Sequence, residues 1–223
     1  MTNVKFPRKE FEKQIKITKE IEEKFPLFGT PIENINEEEI EIAVTPNRPE
    51  LVSMHNFVRD FKAFLGKETG LKKYQIKKPK PEYEVKVAAS VKDVRPCTVC
   101  AIVENLKLND SKIKEIIEIQ EKIHITLGRN RRKVAIGIYP LEKISLPIKY
   151  EALQPEKIKF IPLDEKREMN GHEILKLNPK GKEFAHLLQK SAVYPIFKDA
   201  KEKILSMPPI INSEETGRVT EQT

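Results

Sequence analysis

KKYQIKKPKP, residues Lys72–Pro81, carries no apolar periodicity and separates two parts of the chain that are patterned differently. A basic, proline-containing run of this kind continues neither a helix nor a central strand and reads as a linker. Before it, apolar residues recur mostly at helical spacing. After it, they alternate or run together as in sheets. The division predicts a small N-terminal module over 1–75 and a second domain over 76–223, and at 223 residues the chain is long enough for both to bury a core.

In the first part, short helical segments are expected around Arg8–Gln14 and Thr18–Lys24, ending at Pro26 and Gly29. Glu39–Val44 (EIEIAV) alternates acidic and apolar residues and predicts a strand. TPNRP follows, and a helix is expected from Pro49, where a missing N–H costs nothing. Its apolar face is Leu51, Met54, Val58, Phe61 and Leu65, and Gly66 ends it.

In the second part, Tyr83, Val85, Val87 and Ala89 alternate, and Cys97–Val103 (CTVCAIV) is an apolar run that predicts a strand. A helix is expected from Asp110 as N-cap to Gly128, burying Ile113, Ile116, Ile117, Ile123 and Leu127. Further strands are expected at Val134–Tyr139, Pro147–Ala152 and Ile158–Ile161, and short helices at His172–Leu177 and Lys182–Gln189. Val193–Ser213 reads as strand, turn, strand and a proline-rich stretch. Strands and helices interleave without regular alternation, so the class is α+β: a small α/β module followed by a mixed or antiparallel sheet domain.

Composition narrows the function classes. No window approaches 18 uncharged apolar residues, so no membrane span is expected, and the opening MTNVKFPRKEFEK lacks the apolar core of a secretory leader. A reducing cytoplasm is the expected compartment, since Cys97 and Cys100 make no disulfide framework. They have CxxC spacing inside a strand pattern, where positions three apart face opposite ways, so buried structural thiols are expected and no metal site. His55, His124, His172 and His186 stand at no metal-ligand spacing. The formal net charge of +7 raises the prior for an anionic partner, nucleic acid first.

Two constellations could carry chemistry. Gly128–Lys133 (GRNRRK) places Arg129, Arg131, Arg132 and Lys133 between a helix and a strand, where guanidinium forks suit phosphate oxygens. The same cations could equally be a solvated connector that complements the negative end of the preceding helix. In Ile204–Ser213 (ILSMPPIINS), Ser206, Asn212 and Ser213 surround a rigid Pro-Pro pair. With no adjacent histidine or carboxylate, a serine nucleophile is not supported; hydroxyls that orient a water or a substrate are, as is an ordinary rigid loop.

Together FGTPI (28–32), TPNRPELVS (45–53), RPCTVCAIVE (95–104), QEKIHITLGRNRRKVAIGIYPL (120–141), PKGKEFAHLL (179–188) and ILSMPPIINSEETGRVTEQT (204–223) resemble the phenylalanyl-tRNA synthetase beta subunit of the archaeal and eukaryotic type. The departures are Cys97, often aromatic in that family, and Pro140, often Asp. The resemblance implies that residues 76–223 hold most of an editing domain, which hydrolyses tyrosyl-tRNA(Phe) within a phenylalanine–tRNA ligase. It implies Ser206 and Phe197 at the editing pocket, Ser206 also serving catalysis, with Asn212 and Ser213 beside them. Arg129, Arg131, Arg132 and Lys133 would meet tRNA phosphates. The implied partners are tRNA(Phe), the alpha subunit and the remainder of the beta subunit in a heterotetramer. No cofactor is expected in this chain; ATP and magnesium would serve the assembled synthetase. The family continues past GRVTEQT into an F-x-D-x-T stretch whose acid and threonine close the pocket, so the domain is expected to be truncated at its C-terminal end. A non-catalytic module for tRNA binding or subunit assembly is the alternative.

Overall fold

The computed structural model describes residues 2–71 and 73–223; Met1 and Lys72, the first residue of the expected linker, lie outside them. Two compact units are present: residues up to Ile76 with Glu118–Leu127, and Lys77–Ile117 with Gly128–Thr223.

In the first unit, β1 (Thr2–Pro7) leads into α1 (Arg8–Glu12) and α2 (Lys19–Phe28), followed by β2 (Ile32–Ile35), β3 (Glu39–Val44) and α3 (Met54–Phe64). The sheet order is β1-β3-β2, all antiparallel, with Val4 opposite Ile42 and Phe6 opposite Ile40. β1 was not expected from the sequence. Its two inward apolar residues, Val4 and Phe6, are too few to stand out, and only pairing with β3 reveals it. α2 runs through Pro26, the earlier of the two expected stops, to Phe28 and ends on Gly29, the later one, at φ 87°. The helix tolerates this proline in its last turn, where the capping N–H of Gly29 reaches the Phe25 and Pro26 carbonyls. After a short 3₁₀ turn at Pro49–Val52, Ser53 caps α3 by accepting from the Asn56 N–H. Phe6, Phe11, Phe25, Phe57 and Phe61, none more than 2% exposed, fill the core, with Phe25 and Phe61 ring centroids 4.6 Å apart.

The second unit begins with β4 (Val85–Val87). Next comes α4 (Asp110–Ile125), whose last residues count with the first unit. The rest is β5 (Ile148–Leu153), β6 (Lys159–Phe160), β7 (Met169–Asn170), α5 (Gly171–Leu177), α6 (Pro179–Phe184), β8 (Tyr194–Lys198), β9 (Ile204–Met207), β10 (Ile211–Asn212) and α7 (Glu214–Gly217). The main sheet runs β10-β9-β8-β5-β4, antiparallel except for the parallel pair β4–β5, and β6–β7 form a separate ribbon. One face of the main sheet packs Tyr194 and Ile196 into a core with Ile158, Ile174 and Met207. The opposite face carries Tyr150, Ala152 and Phe197, with Val91 against them. This is an α+β architecture of mixed and antiparallel sheets, as expected.

Five expectations fail here. Cys97–Val103 and Val134–Tyr139 form no strand among the described residues. An apolar run becomes a strand only when a ladder satisfies its backbone, and neither run has one, so Val99 stays 97% and Val103 67% exposed. For the same reason Cys97 and Cys100 are exposed, not buried. In α4, Asn109 caps the first turn, its Oδ1 accepting from Lys112 N at 2.9 Å, in place of Asp110. The expected apolar face is not buried either: Ile117 is 52% and Leu127 61% exposed, and His124 is the helix's buried residue.

Candidate functional site

Strand register assembles the site. Tyr150 on β5 stands opposite Phe197 on β8, Phe197 opposite Ser206 on β9, and Ser206 opposite Asn212 on β10. Directly opposed residues share a face, so these four side chains form one row across the sheet. The Tyr150 and Phe197 rings stack at 4.5 Å between centroids and 23° between planes, giving the row an aromatic end. Its polar end is Ser206 and Asn212. Three of the sequence-derived pocket residues, Phe197, Ser206 and Asn212, are therefore brought together.

Ser213 is not part of the row. It follows Asn212 and faces the other way, 3% exposed; its hydroxyl accepts from the Glu215 N–H at 3.3 Å and caps α7. Gly217 of that helix lets Asn212 stay in place, since a Cβ there would come within 2.5 Å of the Asn212 Cβ.

Against the polar end lies the segment 138–139. Asn212 Nδ2 donates to the Ile138 carbonyl at 3.3 Å, and the Tyr139 hydroxyl donates to Ser206 Oγ at 2.7 Å. Burial pushes the Tyr139 phenol up to about 12; the Ser206 hydrogen bond works against this and nearby Cys100 adds to it. Ser206 itself is 1% exposed. Its partner is a phenol and not an imidazole or carboxylate, so the hydroxyl is not activated as a nucleophile. Sequence reading missed Tyr139, which lay in what looked like a strand. The available signal was Gly137, two residues earlier: a Cβ there would fall 2.6 Å from the Tyr139 hydroxyl, so only glycine lets the ring fold back.

The basic turn joins the same site. Arg129, Asn130 and Arg131 all take left-handed backbone, φ 50°, 53° and 63°, at a cost of about 1–2 kcal/mol each. Arg131 anchors that turn. The residue is 7% exposed; its guanidinium stacks 4.1 Å over the Phe184 ring and donates from Nη1 to the carbonyls of Pro209 (3.2 Å) and Ile210 (3.0 Å). Arg95 Nη2 donates in turn to the Arg131 carbonyl at 3.1 Å. Arg131 thus holds the turn onto the proline loop between β9 and β10, while Arg129, Arg132 and Lys133 face solvent. The four cations grouped by the sequence divide into one structural residue and three displayed charges. A cavity of about 850 Å³ lined by Ile15, Ile21, Lys16 and Lys24 belongs to the first unit, and none of the sequence-derived site residues line it.

No protein-family model matches the chain. Among curated proteins, the phenylalanine–tRNA ligase beta subunit of Archaeoglobus fulgidus is 42% identical over 200 residues, 90% of this chain and 36% of that protein. The beta subunit of Pyrococcus horikoshii is 48% identical over 177 residues, 79% of this chain and 31% of that protein. The solved N-terminal fragment of the phenylalanyl-tRNA synthetase beta subunit from Pyrococcus horikoshii matches all of this chain and 65% of its own, with TM-score 0.86 and 40% identity. The chain spans about a third of the length of the curated relatives it matches. Sequence and fold agree along the same residues, and the chain belongs to the phenylalanyl-tRNA synthetase beta-subunit family, as a counterpart of its N-terminal portion.

Proposed function

We propose that this chain is the proofreading portion of a phenylalanine–tRNA ligase beta subunit and hydrolyses tyrosine from mischarged tRNA(Phe) in the cytoplasm. The observation that carries the reading is the row Phe197–Ser206–Asn212, with the proline loop between its last two strands held by Arg131 to the turn displaying Arg129, Arg132 and Lys133. In this reading the turn meets backbone phosphates, Phe197 gives the tyrosyl ring an apolar wall, and the polar end meets the phenol. The need is physical: an apolar activating pocket rejects a substrate bearing one extra hydroxyl imperfectly, whereas a site built to hydrogen-bond that hydroxyl selects for it.

Water attacks the ester carbonyl, the bond to the ribose oxygen breaks, and tyrosine and free tRNA leave. Ser206 and Asn212 orient groups and form no covalent intermediate, and the tRNA's terminal ribose assists the water. ATP and magnesium serve amino-acid activation in the assembled synthetase with its alpha subunit. Among the described residues of this chain no cluster of three His, Cys, Asp or Glu side chains could hold a metal ion, and no step here runs through one.

The test is tyrosine release from tyrosyl-tRNA(Phe) by the chain, with Ser206→Ala beside it. Release faster than buffer, reduced about tenfold by the substitution, is the expected result, the size of one lost hydrogen bond. Absence of release even after the downstream part of the beta subunit is added would sink the reading. One observation favours a second reading, a non-catalytic module for RNA binding or subunit assembly: the unpaired apolar stretch Cys97–Val103, with Val99 97% exposed, offers backbone to a partner strand.

A further inference from the structure

Ser206 presents a contradiction: the hydroxyl that should meet a ligand is 1% exposed and already bonded, at 2.7 Å, to the phenol of Tyr139. The covering group is itself a tyrosine side chain. It offers Ser206 the same chemistry that a tyrosyl ester would offer, an aromatic ring ending in a hydroxyl donor.

We propose that Tyr139 stands in for the substrate phenol, occupying the hydrogen-bonding place on Ser206 that a tyrosyl ligand must take, and so sets the threshold for entry. This inference rests on the proofreading reading for the identity of the ligand. Three features support an exchange. The ring is seated by Gly137, where any Cβ would fall 2.6–2.9 Å from its outer atoms. The segment Val134–Tyr139 belongs to no strand, so moving it breaks no ladder. The exchange also replaces like with like: a tyrosyl phenol restores the bond that Tyr139 gives up, whereas a phenylalanyl ring leaves the buried Ser206 hydroxyl without a partner. Ser206 then sets the preference for a phenol, and Tyr139 sets how strongly any occupant must bind to enter.

The two roles separate in a binding cycle. L-tyrosinamide and L-phenylalaninamide are titrated calorimetrically onto the whole chain, its Tyr139→Phe and Ser206→Ala variants, and the double variant. Removing the internal phenol is expected to tighten tyrosinamide binding about three- to tenfold, the worth of one hydrogen bond, with the preference over phenylalaninamide retained. Ser206→Ala is expected to abolish that preference, and Tyr139→Phe added to it changes nothing further. Gly137→Ala, which pushes the ring aside with its hydroxyl intact, should reproduce the tightening; this guards against a packing effect of the phenylalanine. Unchanged or weaker tyrosinamide binding in both Tyr139→Phe and Gly137→Ala overturns the inference, as does no binding by any form. Affinities that move as expected while no form hydrolyses tyrosyl-tRNA, even with the downstream part of the beta subunit added, overturn proofreading and leave the exchange standing. Hydrolysis with unmoved affinities does the reverse.

Discussion

A phenol held against a buried serine behaves differently from one in water, and this makes Tyr139 visible by titration. Burial disfavours the phenolate more than the Ser206 hydrogen bond favours it, so the group stays protonated up to about 12. The sign follows from linkage. The folded value lies above the unfolded 10.0, so the contribution to stability is whole below pH 10 and is lost as pH rises through 10 toward 12. Burial also raises Tyr150 and Tyr194, but less, so of the five tyrosines Tyr139 should ionise last in an absorbance titration. Tyr139→Phe should delete the late step, and Ser206→Ala, by removing the one influence that lowers the value, should delay it further. A titration in which every tyrosine ionises together near 10 would show that Tyr139 is not buried against Ser206.

At the scale of elements, the tightest joint lies between α5 and α6. Asn178 ends one helix and caps the next, accepting the Gly181 N–H at 3.1 Å, and a Cβ at Gly181 would fall 1.7 Å from the Ile174 carbonyl oxygen. That contact is backbone and has nowhere to retreat. Gly181→Ala is therefore expected to cost about 1–3 kcal/mol and lower the melting temperature by on the order of 5–10 °C, whereas Lys182→Ala, on the exposed face, should leave it unchanged. Equal melting temperatures for the two would refute the close approach. Elements held by local rules were legible in the sequence. β3 showed its alternation, α3 its apolar face, α5 its boundaries to within a residue, and β8 and β9 their succession around a turn. Elements that exist by virtue of a partner were not. β1 went unseen because β3 defines it, and Cys97–Val103 was read as a strand although no partner pairs with it. The site shows the same division. Ser206 and Asn212 stood out beside the Pro-Pro pair and Phe197 came from a family likeness, but their alignment in one row is a matter of register, which no local pattern encodes.

Across the whole molecule, the surplus of seven positive charges says less than where particular cations point. Arg131 is spent internally on two carbonyls and an aromatic face, so replacing it should damage the fold before it affects any ligand. Arg129, Arg132 and Lys133 are exposed on a turn whose left-handed backbone that internal anchor supports. If these three meet RNA phosphates, each contact releases counterions, and the slope of log K against log salt records their number. Replacing all three by alanine is expected to make the slope for tRNA(Phe) shallower by about 2–3, at roughly 0.7–0.9 per phosphate, without moving the melting temperature. Arg131→Ala should instead leave the Pro209 and Ile210 carbonyls without their donor and lower stability by about 1–3 kcal/mol. Measured together, the two variants separate charge from scaffold. A triple variant that keeps the wild-type slope would remove the turn from the RNA-binding surface and leave the surplus charge elsewhere on the chain to account for any affinity.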